Sequence, residues 1–143
     1  MAEDKPIFTL GTSTRSAEEF ITLLKEHGVE VVVDVRRFPT SRLEHFRQER
    51  LTKILNEAGL DYVYMGKELG GYRREGYRTF AATAEFQAGV DRLTQVAREK
   101  RTAIICAERF PWRCHRRFIS MALENRGQMV THIIGIRVVT EDF

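Results

Sequence analysis

Thr102-Ala-Ile-Ile-Cys-Ala-Glu-Arg-Phe-Pro-Trp-Arg-Cys-His-Arg-Arg-Phe-Ile119 is the stretch that decides the fold class. It begins as an apolar strand, breaks at Pro111 and resumes with helical spacing, so a buried strand passes the chain straight to a helix. In an open α/β sheet, ligands settle beyond the carboxyl ends of the strands, beside helix N-termini. Cys106, Glu108, Cys114, His115 and Arg116 crowd that junction, and chemistry is expected there.

The rest of the chain repeats the alternation. Val29-Glu-Val-Val-Val-Asp-Val35 is β-branched almost throughout, as suits a strand covered on both faces of a parallel sheet. Ile7 to Gly11 reads as a first strand ended by the polar turn Gly11-Thr-Ser-Thr14. Ser16 and Glu19 make a capping box, and Phe20, Leu23, Leu24 and His27 follow at helical spacing up to Gly28. Phe46, Leu51, Ile54, Leu55 and Ala58 predict a second helix with an irregular first turn, closed by Gly59. Asp61 to Met65 alternates as a strand, and Thr83 caps a helix whose core face is Phe86, Val90, Leu93 and Ala97. Phe118, Ile119, Met121 and Ala122 form the expected apolar side of the last helix, with Gly127 as its stop. Met129 to Ile136 is the expected closing strand, continued by Val138 and Val139. The pattern predicts one α/β domain over residues 1–143, a three-layer sandwich with a mostly parallel central sheet.

With 43% hydrophobic and 30% charged residues, the composition argues against disorder and against a fibrous repeat. No apolar run approaches the roughly 20 residues needed to span a bilayer, and Met1-Ala-Glu-Asp-Lys-Pro6 lacks the layout of a signal peptide. A cytoplasmic protein without membrane partners is expected. Its two cysteines, Cys106 and Cys114, are then expected as free thiols, reactive or structural. The net charge of +3 favours anionic partners, a small molecule or a nucleic acid. Arginines gather at 36 and 37, at 73, 74 and 78, and at 109, 113, 116 and 117. Three arginine-bearing loops make an anion site if the fold brings them together.

Asp34 and Arg36 stand two residues apart at the exit of a core strand and so point to one side. Asp34 either holds Arg36 in place or takes part in binding or proton transfer. Cys114 and His115 fall on the last helix, one turn before Phe118 and Ile119, where neighbours diverge by about 100° and make no dyad; His115 is instead expected to meet Cys106 or Glu108. Cys106 to Arg113 approaches the strand-Cys-loop-Arg-helix layout of cysteine phosphatases and rhodanese relatives. The arginine lies one residue too far, and the loop has no glycine. Zinc on Cys106, Cys114 and His115 needs unusual spacing, so no metal is expected and no cofactor is evident. Gly66 to Arg78, with four glycines, reads either as a loop on which Tyr72 and Tyr77 stack on a base and Arg73, Arg74 and Arg78 meet phosphates, or as a mobile, solvated basic loop. Gly11 to Arg15 offers N–H groups to an anion, or is an ordinary turn.

Thr9-Leu-Gly-Thr-Ser13, Asp34-Val-Arg-Arg-Phe-Pro-Thr-Ser-Arg42, Leu69-Gly-Gly71 and Cys106-Ala-Glu108 with Cys114-His-Arg116 together resemble domain-of-unknown-function family 488. The resemblance covers nearly the whole chain and implies a small α/β domain. Its motif residues here are Asp34, Arg36, Pro39, Ser41, Arg42, Gly70, Gly71, Cys106, Glu108, Cys114, His115 and Arg116. The family brings no established reaction. The reading that follows is an enzyme, or enzyme-derived binder, for a phosphate-bearing substrate such as a nucleotide or a nucleic-acid end. Arg36, Arg42 and Arg116 hold the anion, with Ser41, Gly70 and Gly71 beside it. Asp34, Glu108 and His115 are the catalytic candidates, and the glycine-rich loop closes over the ligand. The alternative is a non-catalytic nucleic-acid-binding module using that basic, aromatic loop.

Overall fold

The computed structural model describes residues 5–135, 138 and 139. Its strands are β1 (Ile7–Gly11), β2 (Val31–Asp34), β3 (Asp61–Tyr64), β4 (Thr102–Cys106), β5 (Val130–Ile133) and β6 (Val138–Val139). They form one sheet in the order β3-β2-β4-β1-β5-β6. The first five are parallel, and β6 runs antiparallel to β5 at the edge. Between them lie α1 (Ala17–Glu26), α2 (Gln48–Glu57), α3 (Gly66–Leu69), α4 (Tyr77–Phe80), α5 (Ala84–Glu99) and α6 (Arg116–Asn125).

Strand alternation assigns the two faces. Phe8, Leu10, Val32, Ala103 and Ile105 pack with Phe20, Leu24, Leu51 and Leu55, so α1 and α2 cover one side. Ile7, Val33, Ile104 and Cys106 pack with Phe86, Val90, Leu93, Ile119 and Leu123, so α5 and α6 cover the other. The expected three-layer α/β sandwich is therefore present, with the sheet buried on both faces. Ser16 caps α1 by accepting from the Glu19 amide at 3.0 Å, and Thr83 caps α5 by accepting from Phe86 at 3.1 Å. The irregular entry to α2 is a 3₁₀ turn at Glu44–Phe46.

Some boundaries depart from the sequence reading. Gly66 to Arg78 is not a plain loop, because α3 and the start of α4 fall within it. Arg73 stabilises that compaction: it lies 3.8 Å over the Phe80 ring and donates to the Gly70 and Lys67 carbonyls. Met121 is exposed; the buried side of α6 is instead Arg116, Ile119, Ser120 and Leu123. The closing strand stops at Ile133, Met129 is exposed, and Ile136 lies outside the described residues.

Most consequential for the site is the start of α6. Proline fits the first turn of a helix, and at Pro111 it begins a 3₁₀ turn ending at Arg113. Cys114 is then extended (φ −144°, ψ 171°), and α6 begins only at Arg116. β2 leads to α2 on one face and β4 leads to α6 on the other, while β2 and β4 are neighbours through Asp34↔Ile105. Their carboxyl ends consequently flank a crevice at a topological switch point.

Candidate active site

A cleft of about 840 Å³ opens there, lined by Arg36, Arg37, Phe38 and Thr40 after β2 and by residues 106–108 and 112–115 after β4. Gly71, Tyr72 and Tyr77 close one side and Arg117 and Phe118 another. Glu108 is the only carboxylate among these lining residues.

Cys114 has the most distinctive setting. Its sulfur lies 2.9 Å from that of Cys106, 3.2 Å from the Arg116 amide and 3.4 Å from Arg116 Nε. Burial by itself pushes a thiol pKa up, but here the hydrogen bonds from Cys106 and His115 and the charge of Arg116 pull Cys114 well below the ordinary thiol range. Cys106 moves the opposite way: it is 2% exposed, and burial, followed by its hydrogen bond with Cys114, pushes its thiol pKa up. The two shifts favour thiolate character at 114 over 106, and both cysteines are free of a disulfide.

The helical placement expected for Cys114 and His115 is corrected by the late start of α6. Cys114 is extended ahead of the helix, and His115 stands at its N-cap. His115 Nε2 donates to the Val35 carbonyl at 2.8 Å, which ties the start of α6 to the β2 exit. The imidazole leans on Tyr77 (centroids 5.3 Å) and on Gly71, where an added Cβ would meet Nδ1 at 3.3 Å. His115 therefore meets neither of the partners expected for it, Cys106 and Glu108, as its principal hydrogen-bond partner.

Arg116 is fully buried and does not face the cleft. NH1 donates to Thr9 Oγ1 at 3.0 Å, and NH2 to the Glu108 and Arg109 carbonyls at 2.6 and 3.2 Å. Its amide and Nε bond the Cys114 sulfur, and the guanidinium expected to hold a substrate anion does not line the cleft. Thr9 Oγ1 in turn shares a hydrogen bond with His132 Nδ1 at 2.6 Å. Burial, then the Arg116 charge, lowers the His132 pKa to about 4, which keeps it neutral at pH 7. Neither Thr9 nor His132 was singled out for the site by sequence. Thr9 opens one of the family-like motifs but has no expected site role, His132 sits in the expected closing strand, and the bond from Arg116 to Thr9 joins residues more than 100 apart in sequence.

Asp34 and Arg36 form a second buried unit. Asp34 Oδ1 accepts from the Arg36 amide (3.1 Å) and Nε (2.9 Å); Oδ2 accepts from Arg36 NH2 (2.8 Å) and the Tyr62 hydroxyl (2.6 Å). Arg36 NH1 reaches the Phe46 carbonyl at 2.6 Å. Burial penalises the guanidinium, but the Asp34 hydrogen bonds and charge outweigh it and raise its pKa. Asp34 has no exposed surface, so of its two sequence readings the structure supplies the one in which it holds Arg36.

Of the predicted site residues, Arg36, Gly71, Cys106, Glu108, Cys114 and His115 line one cleft; Asp34, Gly70 and Arg116 stand behind its wall. Ser41 accepts from the Leu43 amide and Arg42 is exposed outside the cleft. Gly70 serves packing, since a Cβ there would lie 2.2 Å from the Gly66 carbonyl oxygen. The amides of Thr12 and Ser13, offered by sequence as an anion cradle, donate to the Cys106 and Ala107 carbonyls instead. The arginines that do line the cleft besides Arg36 are Arg37, Arg113 and Arg117. Phe38, Tyr72 and Trp112 join them, exposed by 61%, 84% and 44%, and these are three of the five exposed large hydrophobic side chains among the described residues.

The fold and site define an α/β protein with a mostly parallel sheet and a cysteine-bearing cleft at its switch point. By its match to Domain of unknown function DUF488 over residues 16–123, the chain belongs to that family. No curated protein sequence matches it. Two crystal structures of a Putative phosphatase (DUF442) from Shewanella putrefaciens CN-32 are similar, at 20% and 21% identity with TM-scores of 0.50 and 0.49. Each match covers 85% of this chain, and 66% and 68% of the other, so the first spans just under two thirds of that protein. At that identity the likeness is one of fold. Among the described residues no helix is long and apolar enough to cross a membrane.

Proposed function

We propose that the cleft carries out phosphoryl chemistry on a nucleotide or a nucleic-acid end, with Cys114 as nucleophile. The observation that carries this reading is a cysteine sulfur bonded by the Arg116 amide and guanidinium on the floor of an arginine-rimmed cleft at the sheet's switch point. Arg37, Arg113 and Arg117 supply positive charge for a phosphate. Phe38 and Tyr72 on one wall and Trp112 on the other offer ring faces to a base.

In the step, Cys114 Sγ forms a bond to phosphorus as the bond to the leaving oxygen breaks. Glu108, half-buried at the cleft, gives that oxygen its proton and then takes one from the water that hydrolyses the thiophosphate. Arg116 holds the Cys114 sulfur in position throughout, and His115 ties the adjoining start of α6 to the β2 exit.

Purified protein should hydrolyse p-nitrophenyl phosphate or a nucleoside monophosphate. Cys114→Ser should abolish turnover, and Arg37→Ala or Arg113→Ala should raise KM with little loss of stability. Full turnover in Cys114→Ser defeats the reading. So does the absence of any thermal shift with phosphate, vanadate or nucleotides. The alternative of a loop-borne nucleic-acid module loses ground, because Arg73 is committed to Phe80 and two carbonyls and Tyr77 donates to the Leu69 carbonyl.

A further inference from the structure

A phosphoryl nucleophile needs one sulfur, yet the cleft floor holds two. Cys106 ends a strand buried in the middle of the sheet, and Cys114 is extended between a 3₁₀ turn and α6, so both backbones are anchored. Their sulfurs are 2.9 Å apart, so a shift of under about 1 Å brings them to bonding distance. Cys114 is half-buried and accessible from the cleft, whereas Cys106 is 2% exposed with Cys114 as its sulfur neighbour. That asymmetry assigns different roles. Both cysteines line the cleft, but Cys114 is the more exposed of the two and meets a small oxidant first.

We propose that Cys114 is a peroxide-oxidisable site and that Cys106 resolves it to an intramolecular disulfide. The Cys114 thiolate attacks one oxygen of hydrogen peroxide; an S–O bond forms, the O–O bond breaks, and the departing hydroxide takes a proton to leave as water. Cys106 then attacks the sulfenic sulfur. The S–S bond forms, the S–O bond breaks, and the second hydroxide leaves as water with the Cys106 proton. Two thiols and one peroxide become one disulfide and two waters. Arg116, bonded to the Cys114 sulfur through its amide and Nε, keeps that sulfur within reach of Cys106 in the first step.

This inference stands without the phosphoryl reading, because its readouts need no substrate. The reduced full-length chain would be treated with equimolar hydrogen peroxide at neutral pH, then analysed by thiol titration, intact mass and non-reducing electrophoresis. Both thiols should disappear with a loss of two hydrogens, in a monomer, and dithiothreitol should restore them. In Cys106→Ser the reaction should stop at a Cys114 sulfenic acid that dimedone traps. In Cys114→Ser, oxidation of Cys106 should be at least tenfold slower. Retention of both thiols, disulfide-linked dimers as the main product, or sulfinic acid at Cys114 without a disulfide would each overturn the proposal. If p-nitrophenyl phosphate is a substrate, its turnover should fall with disulfide formation and return on reduction. A disulfide that leaves such turnover intact refutes the phosphoryl role of Cys114, not the disulfide.

Discussion

Asp34→Asn tests whether the aspartate belongs to the framework or to the chemistry. The carboxylate has no exposed surface, and its two oxygens accept three bonds from Arg36 and one from Tyr62. Neutralising it leaves a guanidinium that is 5% exposed without its counter-charge. Breaking one side of such a buried pair costs about 3–5 kcal/mol. For 143 residues, an unfolding entropy of about 2.1 cal/mol/K per residue gives roughly 300 cal/mol/K. The midpoint should therefore fall by about 10–17 °C. Thermal unfolding followed by far-UV circular dichroism reads this directly, with urea titration as a check on cooperativity. Asp34→Leu with Arg36→Met, which removes both charges, should recover much of the loss, though not the part due to the Arg36 bond to Phe46. A drop below about 1 kcal/mol in Asp34→Asn, together with complete loss of turnover, would show that Asp34 acts on substrate and that the framework reasoning is wrong.

Three further outcomes follow from the same geometry. Stability should rise with pH through the neutral range, because folded Cys114 has already lost a proton that the unfolded thiol keeps up to about 8.5. Above that pH it should fall again, because folded Cys106 retains a proton the unfolded chain releases; urea midpoints from pH 5 to 10 should lose the rise in Cys114→Ser. Gly70→Ala should destabilise strongly, its Cβ falling 2.2 Å from the Gly66 carbonyl oxygen, whereas Gly71→Ala should fold and displace only the His115 ring, met at 3.3 Å. The split is read by melting temperature together with the His115 ring resonances in NMR. Thr9→Val should cost about 1–3 kcal/mol by leaving Arg116 NH1 short of an acceptor, measured by urea unfolding.

The layers were legible because they rest on periodicity. The β-branched run at Val31–Val33 and the helical spacing of Phe20, Leu23 and Leu24 each report burial by themselves. Cysteine, histidine and glutamate at the strand-to-helix junction were equally visible, since the switch-point rule needs only the order of elements. Less was visible of which arginines face outward. Arg36, Arg37, Arg113 and Arg116 differ in the partners that fold around them, and those partners, Phe46, Thr9 and the Glu108 carbonyl, come from distant or irregular segments. The start of α6 misled for a similar reason. Proline at a helix start is a sound local signal, but it set a 3₁₀ turn, and a shift to Arg116 changed what Cys114 and His115 touch.

That shift also explains how the charges divide. A helix start and an adjacent arginine make a ready anion site. Here the Arg116 amide and guanidinium already bind an anion of the chain itself, the Cys114 sulfur. On the proposed function, a substrate phosphate meeting this sulfur would have its charge balanced by the arginines that line the cleft. Arg37 lies beyond β2, and Arg113 and Arg117 lie beyond β4. Between them a phosphate would be held while Cys114 approaches from the floor. On that reading the buried Arg116 serves the sulfur, and the arginines lining the cleft serve the substrate.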